Sequence, residues 1–109
     1  MGEKEYVYYF TLERQDRFRY YHYLARGRIL RFRIQYEARI GGNWHAIVRY
    51  DTAHGRPHKD ILRPDGSQRK VEFYGYSGEE VLTLGERDIK VNWQRYRAEY
   101  EREMESDDV

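Results

Sequence analysis

The sequence predicts an α+β fold in which an antiparallel sheet of four to five strands is covered on one face by a long C-terminal helix. Two patterns predict this fold. Apolar and polar residues alternate from 29 to 40, and residues 77–104 carry apolar side chains three or four positions apart. A chain of 109 residues is enough for one domain, so we predict a single domain over 1–109.

The composition excludes several classes of protein. The mean hydropathy is −1.08 and 36% of the residues are charged, but 17% are aromatic, which supplies large side chains for a core. The absence of cysteine excludes a disulfide scaffold, a thiolate zinc site and a cysteine nucleophile. The sequence lacks a membrane-length apolar run and the apolar core of a signal peptide. We therefore expect a cytoplasmic protein without a membrane partner.

The N-terminal part, 1–27, is predicted as a variable strand region. Residues 5–13 are rich in aromatic and β-branched side chains, which is typical of a strand. Residues 14–27 show no clear pattern. Their tyrosines are compatible with an extension of a strand, and residues 25–28 are compatible with a turn.

The main sheet is predicted over 28–75 and begins with a hairpin. Its two strands, 29–40 and 44–51, alternate apolar with polar residues on either side of a glycine-rich turn. A three-residue loop keeps every apolar side chain on one face of the sheet, so we predict that loop. The predicted pairs are Ile40–Trp44, Arg39–His45, Ala38–Ala46, Tyr36–Val48, Ile34–Tyr50 and Arg33–Asp51.

A second hairpin and a helix complete the predicted fold. Residues 58–63 and 70–74 flank a Pro-Asp-Gly-Ser turn. Ser77 and Glu80 have the spacing of a capping box, which predicts a helix over 77–104. The apolar stripe of this helix consists of Leu82, Gly85, Ile89, Trp93, Tyr96 and Tyr100.

The charges are unevenly distributed along the chain. Residues 1–75 carry 15 Lys and Arg against 9 Asp and Glu, a net of +6, whereas residues 76–109 carry 5 against 10, a net of −5. Arginine binds phosphate and stacks on aromatic rings, so an Arg/Tyr mixture indicates RNA binding. The alternative is a solvated strand surface in an arginine-rich, thermophile-like composition. The predicted nucleic-acid contacts are Arg31, Arg33, Arg39, Arg56 and Lys59.

Residues 49–60 concentrate groups that could carry out chemistry. RNA cleavage by its own 2′-hydroxyl needs an acid, a base and a cation near the phosphate. Histidine serves as acid or base near neutral pH, carboxylates orient it, and arginine contacts the phosphate. In this interpretation Arg56 is a second phosphate contact. The candidate catalytic residues are His54, His58, Asp51, Asp60 and Arg49.

Two alternatives for the same segment stay open. His54 and His58 are four residues apart, but Gly55 and Pro57 interrupt a helix between them, so we predict no metal or other cofactor. A metal site built on His58 and Asp60 with Asp51 is the alternative, because 58 and 60 point the same way from a strand. The second alternative is a structural network in which Asp51 pairs with a neighbouring arginine. The helical pair Asp88 and Asn92 is predicted to be an ordinary hydrogen-bonding pair, with orientation of the histidines as the alternative.

Two stretches carry a resemblance to known families. The run RYDTAHGRPHKDILRPDG and the helical DIKVNWQRYR resemble a family of small uncharacterised prokaryotic proteins over about residues 28–100. That family has an RYD-x-x-HG-x-x-H-x-D segment. More distantly, the segment is similar to TumE-type toxins of toxin–antitoxin modules. This chain has Asp60 where those toxins have a histidine, and Thr52 where they have an asparagine. The resemblance implies a protein antitoxin and an RNA substrate as partners.

These observations predict a small nucleic-acid-associated protein, with a toxin-like, metal-independent ribonuclease as the first hypothesis. The first alternative is a non-catalytic module that binds RNA or a protein. The further alternative is a metal-dependent hydrolase built on the histidines and carboxylates of residues 49–60. The aromatic-rich sheet with open edges is also compatible with a homodimer.

Overall fold

The computed structural model describes residues 1–107, and at His54 and Asp107 it describes the backbone only. The six strands form a single antiparallel sheet in the order β1-β2-β3-β4-β5-β6, so each strand pairs with its neighbours in the chain. The predicted α+β class is therefore confirmed, with six strands rather than four to five. The elements are β1 (Gly2–Tyr9), β2 (Asp16–Ala25), β3 (Arg28–Ile40), β4 (Asn43–Asp51), β5 (His58–Leu62), β6 (Gln68–Glu72) and α1 (Gly78–Asp107).

The additional strand is β2, which lies in the segment that showed no clear pattern. Phe18 and Tyr20 point toward α1 and are buried, whereas Arg19 and Tyr21 point to the other side. Aromatic residues thus occupy both faces of β2, and this hides the alternation on which a strand prediction depends. The first strand ends at Tyr9 rather than at residue 13, since the chain turns before β2 begins.

The hairpin between β3 and β4 has a two-residue turn instead of the predicted three-residue loop. Gly41 and Gly42 have φ values of 60° and 83°, which the mirror-image hairpin turns require. The turn pairs Ile40 with Asn43, so the predicted pairs Ile40–Trp44, Arg39–His45 and Ala38–Ala46 are wrong.

A β-bulge restores the predicted register farther along the same hairpin. The pairing shifts between Tyr36 and Glu37, which leaves Ile47 as the extra residue of β4. Beyond the bulge the register agrees with the prediction. The confirmed pairs are Tyr36–Val48, Ile34–Tyr50 and Arg33–Asp51.

The core lies between one face of the sheet and α1. Gly85 marks their closest approach, because a Cβ atom there would lie 2.8 Å from the Tyr50 ring and 2.9 Å from Cδ1 of Ile34. The buried apolar residues are Phe18, Tyr20, Phe32, Ile34, Tyr36, Ala38, Ile47, Val48, Tyr50, Val81, Leu82, Ile89, Tyr96 and Tyr100.

The start of α1 confirms the predicted capping box. The Ser77 N–H donates to Oε1 of Glu80 at 2.9 Å, and the Glu80 N–H donates to Oγ of Ser77 at 3.1 Å. The helix continues to Asp107, three residues beyond its predicted end. Within the described residues, no helix has both the length and the apolar character that crossing a membrane requires.

Candidate functional site

The sheet face opposite α1, which we call the open face, carries most of the predicted site. Side chains alternate along each strand, so the residues between those of the core point to this face. The central strands place there Arg17, Arg19, Tyr21, Tyr23, Arg31, Arg33, Gln35, Glu37, Arg49, Asp51, His58 and Asp60.

Three of the predicted motif residues meet on the open face as an acid–histidine cluster, which consists of Asp51, His58 and Asp60. Asp51 and His58 are register partners on β4 and β5, and Asp60 follows His58 by two positions on the same face. Nε2 of His58 lies 3.0 Å from Oδ1 of Asp51 and 3.3 Å from Oδ2 of Asp60. The three residues are 3%, 6% and 4% exposed, in the order Asp51, His58, Asp60.

A tight connection between β4 and β5 creates this alignment. The N–H of Thr52 donates to the carbonyl of Phe32 at 3.2 Å, and the Phe32 N–H donates to Oγ1 of Thr52 at 3.1 Å. A 3₁₀ turn, Ala53–Gly55, then reverses the chain, and Gly55 adopts a φ of 86°. The reversal brings His58 opposite Asp51. The predicted residue His54 lies in this turn, and its side chain is outside the described residues.

Further groups hold the cluster in position. Nδ1 of His58 donates to the carbonyl of Arg56 at 3.1 Å, because a carbonyl oxygen can only accept. The Ala53 N–H donates to Oδ1 of Asp51 at 3.0 Å, and Arg33 contacts Oδ2 of the same carboxylate at 3.1 Å. Both nitrogens of the imidazole are therefore engaged, and the ring has little contact with solvent.

Beside the cluster lies a groove that we call the arginine groove, lined by Arg19, Arg33 and Arg49. Its volume is about 510 Å³, and Gln35, Tyr21 and the exposed carboxylate of Glu5 also line it. Nε of Arg49 donates to Oε1 of Gln35 at 2.7 Å, which fixes both side chains against the sheet.

Two of the carboxylates near the groove, Glu37 and Asp51, lie beneath the guanidinium groups. The side chains of Arg19 and Arg33 are each 53% exposed, whereas those of Glu37 and Asp51 are only 7% and 4% exposed. Arg17 donates to Oε1 of Glu37 at 2.6 Å and thereby neutralises that buried carboxylate. The residues that line the groove therefore carry three arginines against one exposed carboxylate, Glu5, so the charge of the lining is positive on balance.

The other predicted nucleic-acid contacts lie outside the arginine groove and at different places on the protein. Arg31 lies on the open face with its guanidinium 4.6 Å from the centre of the Tyr23 ring, and Arg39 is exposed near the β3–β4 turn. Arg56 is exposed in the β4–β5 connection, where it contacts Glu72 at 3.4 Å. Lys59 points to the opposite side of the sheet, away from the arginine groove.

The sequence did not indicate a polar network on the side of α1, which we call the Asp88 network. Oδ2 of Asp88 accepts hydrogen bonds from the hydroxyls of Tyr50 at 2.6 Å and Tyr96 at 2.7 Å, and Nζ of Lys59 lies 3.2 Å away. Asn92 donates to Oδ1 of Asp88 at 2.8 Å. Asp88 therefore faces away from His58 and does not orient it.

Ionisation in the Asp88 network follows from its burial and its hydrogen bonds. Burial, together with the bond to the carboxylate, raises the pKa values of Tyr50 and Tyr96 above their ordinary range. Burial alone would raise the pKa of Asp88, but the three donors and the charge of Lys59 lower it on balance. The spacing of Asp88, Asn92 and Tyr96 places these three on one helix face, but it does not indicate their partners on the sheet, Tyr50 and Lys59.

Comparison with known proteins identifies the family of the chain. The model of a family described as a domain of unknown function (DUF7718) matches residues 1–106. The chain belongs to this family. The match includes residues 1–27, which lie outside the predicted resemblance, and the family description assigns no activity. No curated protein matches the chain. No solved structure matches it either.

Proposed function

We propose that the protein binds single-stranded RNA on its open face and does so without cleaving it. The observation that carries this proposal is the arginine groove, in which three guanidinium groups surround about 510 Å³ against one lining carboxylate, Glu5. Guanidinium groups contact phosphate oxygens in pairs of hydrogen bonds, and a polyanion with regularly spaced phosphates can use several of them together.

Aromatic side chains next to the groove support RNA over a simple anion. Tyr21 lines the groove, and Tyr23 lies on the same face with Arg31 stacked on its ring. Proteins that bind single strands combine a cationic path for the backbone with aromatic rings on which unpaired bases stack. A sheet face with no covering helix leaves both kinds of group accessible to a flexible strand.

The acid–histidine cluster favours binding over metal-independent cleavage. A general acid or base needs a ring nitrogen that can reach the substrate. Nδ1 of His58 is held by the Arg56 carbonyl, Nε2 faces two carboxylates, and the residue is 6% exposed. The ribonuclease hypothesis would require His58 to leave these partners, so we place binding first.

Fluorescence anisotropy with a labelled RNA of about 12 nucleotides tests the proposal, since single-strand sites span about 4–16 nucleotides. The variants are Arg19→Gln and Arg49→Gln in the groove, and the matched control is Arg102→Gln, an exposed arginine on α1. With about three phosphate contacts, the logarithm of the binding constant should fall with the logarithm of salt at a slope of about −2. Each groove variant should reduce that slope and weaken binding, and the control should do neither.

Two results would contradict the proposal. One is an RNA affinity that does not change with salt or that the groove variants leave intact. The other is product formation when the wild-type protein is incubated with total RNA in EDTA, together with its loss in His58→Ala, since this would restore the metal-independent ribonuclease. A His54→Ala variant in the same assay tests the remaining predicted histidine.

A further inference from the structure

We propose that Asp51, His58 and Asp60 bind one divalent cation of the first transition row, with Zn²⁺ and Mn²⁺ as its representatives. The inference concerns the acid–histidine cluster alone and does not depend on RNA binding in the arginine groove. It rests on the convergence of three donor atoms, on the groups that fix them, and on one buried oxygen that has no partner.

The three donor atoms lie close together, and two of their three separations match those between ligands of one ion. One ligand atom from each residue lies within 4.8 Å of the other two. Nε2 of His58 is 3.0 and 3.3 Å from the two carboxylate oxygens. Metal–ligand bonds of about 2.0–2.2 Å at tetrahedral or octahedral angles place neighbouring ligand atoms about 2.9–3.5 Å apart.

The hydrogen bond at Nδ1 of His58 determines what the other ring nitrogen, Nε2, presents to the carboxylates. Because Nδ1 of His58 donates to the Arg56 carbonyl, a neutral imidazole directs its Nε2 lone pair toward Asp51 and Asp60. Three electron-rich atoms would then converge with no positive charge between them. Either a proton on Nε2 or a metal ion must therefore occupy the middle of the cluster.

The carboxylate of Asp60 distinguishes the proton from the metal. Among the described residues, Oδ1 of Asp60 has no hydrogen-bond partner although the residue is 4% exposed. A proton on Nε2 of His58 would reach Oδ2 of Asp60 or Oδ1 of Asp51 and would leave this oxygen unpaired in the interior, which is costly. A metal ion can take both oxygens of one carboxylate as ligands, and Oδ1 of Asp60 has no competing partner among the described residues.

The surrounding groups match those that support metal ligands in proteins. A metal-bound histidine almost always donates its other ring N–H to a carbonyl or carboxylate, and His58 donates to the Arg56 carbonyl. Ligating carboxylates are themselves hydrogen-bonded, and Asp51 accepts from the Ala53 N–H and from Arg33.

The donor set selects the class of metal. One imidazole nitrogen with carboxylate oxygens suits Zn²⁺, Mn²⁺ and neighbouring ions, whereas Mg²⁺ and Ca²⁺ prefer oxygen alone. The charges of the cluster also suit a divalent cation. Arg33 balances the charge of Asp51, and the ion would more than balance that of Asp60. The ion would join the end of β4 to the start of β5 across the tight connection between them.

Calorimetric titration of the EDTA-treated protein with ZnCl₂ and with MnCl₂ tests the site in the absence of RNA, and MgCl₂ serves as the comparison metal. We expect one ion per chain for Zn²⁺ or Mn²⁺, and weaker binding of Mg²⁺. Asp60→Asn and His58→Gln should weaken binding at least tenfold, since about 10–100-fold is lost even when an outer-shell partner is removed. The matched control is Asp65→Asn, an exposed carboxylate in the β5–β6 turn.

A second measurement on the wild-type protein covers the case in which a cluster variant does not fold. In ¹⁵N spectra of the histidine rings, Zn²⁺ should shift the Nε2 signal of His58 and leave the other rings unchanged. Absence of binding by both metals would overturn the proposal, and so would binding that the two variants do not weaken. An Nε2 of His58 that keeps its proton in excess Zn²⁺ would overturn it as well. RNA titrations in EDTA report on the arginine groove separately, so either proposal can fail alone.

Discussion

Nη1 of Arg97 on α1 donates to Oδ1 of Asp16 at 2.9 Å, and this ion pair ties the covering helix to the start of β2. The same guanidinium also donates to the carbonyl of Gln15 at 3.1 Å and to that of Arg39 at 3.0 Å. Tyr36 donates its hydroxyl to the same oxygen of Asp16 at 2.5 Å. One arginine therefore connects the helix, the β1–β2 turn and the end of β3.

Replacing Arg97 by leucine should lower the free energy of unfolding by about 2–4 kcal/mol, because the Asp16 carboxylate would stay buried without its cation. The Arg97 side chain is 23% exposed, so we expect the lower part of the range known for buried pairs. Urea unfolding measures the change. Arg95→Leu is the control, since its pair with Glu99 is half exposed and should contribute less than about 0.5 kcal/mol. Equal effects of the two substitutions would contradict the role assigned to Arg97.

Alanine at Gly85 should destabilise the protein even though alanine favours helices. In an exposed helix the change from glycine stabilises by about 1 kcal/mol. Here the new Cβ would lie 2.8 Å from Cγ of Tyr50 and 2.9 Å from Cδ1 of Ile34, so the helix must move away from the sheet. Overpacking of this kind costs about 1–3 kcal/mol.

The matched control for that substitution is Gly78→Ala, where the nearest atoms are 3.8 and 3.9 Å from the position that the new Cβ would take. It should leave the midpoint of thermal unfolding almost unchanged. A Gly85→Ala protein that is as stable as the wild type would show that α1 packs less closely on β3 and β4 than described.

The protein should lose stability at alkaline pH because several tyrosines are held neutral in the folded state. Burial, with the nearby Glu86 as a smaller cause, raises the pKa of Tyr20 from 10.0 to about 12. The pKa values of Tyr36, Tyr50 and Tyr96 are also raised, chiefly by burial. A raised folded pKa contributes stability that is complete below the unfolded value of 10.0 and is lost as the pH rises through the folded value.

Absorbance of tyrosinate and far-UV circular dichroism, recorded together from pH 9 to about 13, measure this effect. We expect the buried tyrosines to ionise only as the helix and sheet signals disappear. Titration of all 12 tyrosines in one reversible step with the circular dichroism unchanged would contradict the burial described for these rings.

The elements predicted from the sequence are those whose residue types show a clear local pattern. In β3 the residues from Phe32 to Ala38 alternate cleanly because only one side meets the helix, and at α1 the capping box depends on two nearby residues alone. The predicted β3–β4 turn was wrong because the apolar pattern specifies which residues pair far from the turn, but not which residues pair next to it. A bulge at Ile47 lets a two-residue turn and the expected distant pairs occur together.

The part of the candidate site that could be predicted is the part whose residues lie close together in the sequence. Asp51 lies on β4, and His58 and Asp60 lie on β5, which follows after a short connection. Alternation along each strand therefore places these three side chains on one face. The Asp88 network depends on where α1 lies over the sheet, and no short-range pattern specifies this. The grouping of Lys59 with the arginines of the open face is a different case, because alternation from His58 and Asp60 already assigns it to the opposite face, where it donates to Tyr96.

The order of the elements has a consequence during synthesis on the ribosome. Each strand pairs with the strand made just before it, so the sheet can grow hairpin by hairpin as the chain emerges. The element that covers its apolar side, α1, is made after all six of these strands. Until residues 78–107 have left the ribosome, Phe18, Ile34 and Tyr50 have no helix over them, and the nascent sheet is exposed to aggregation and to chaperone capture.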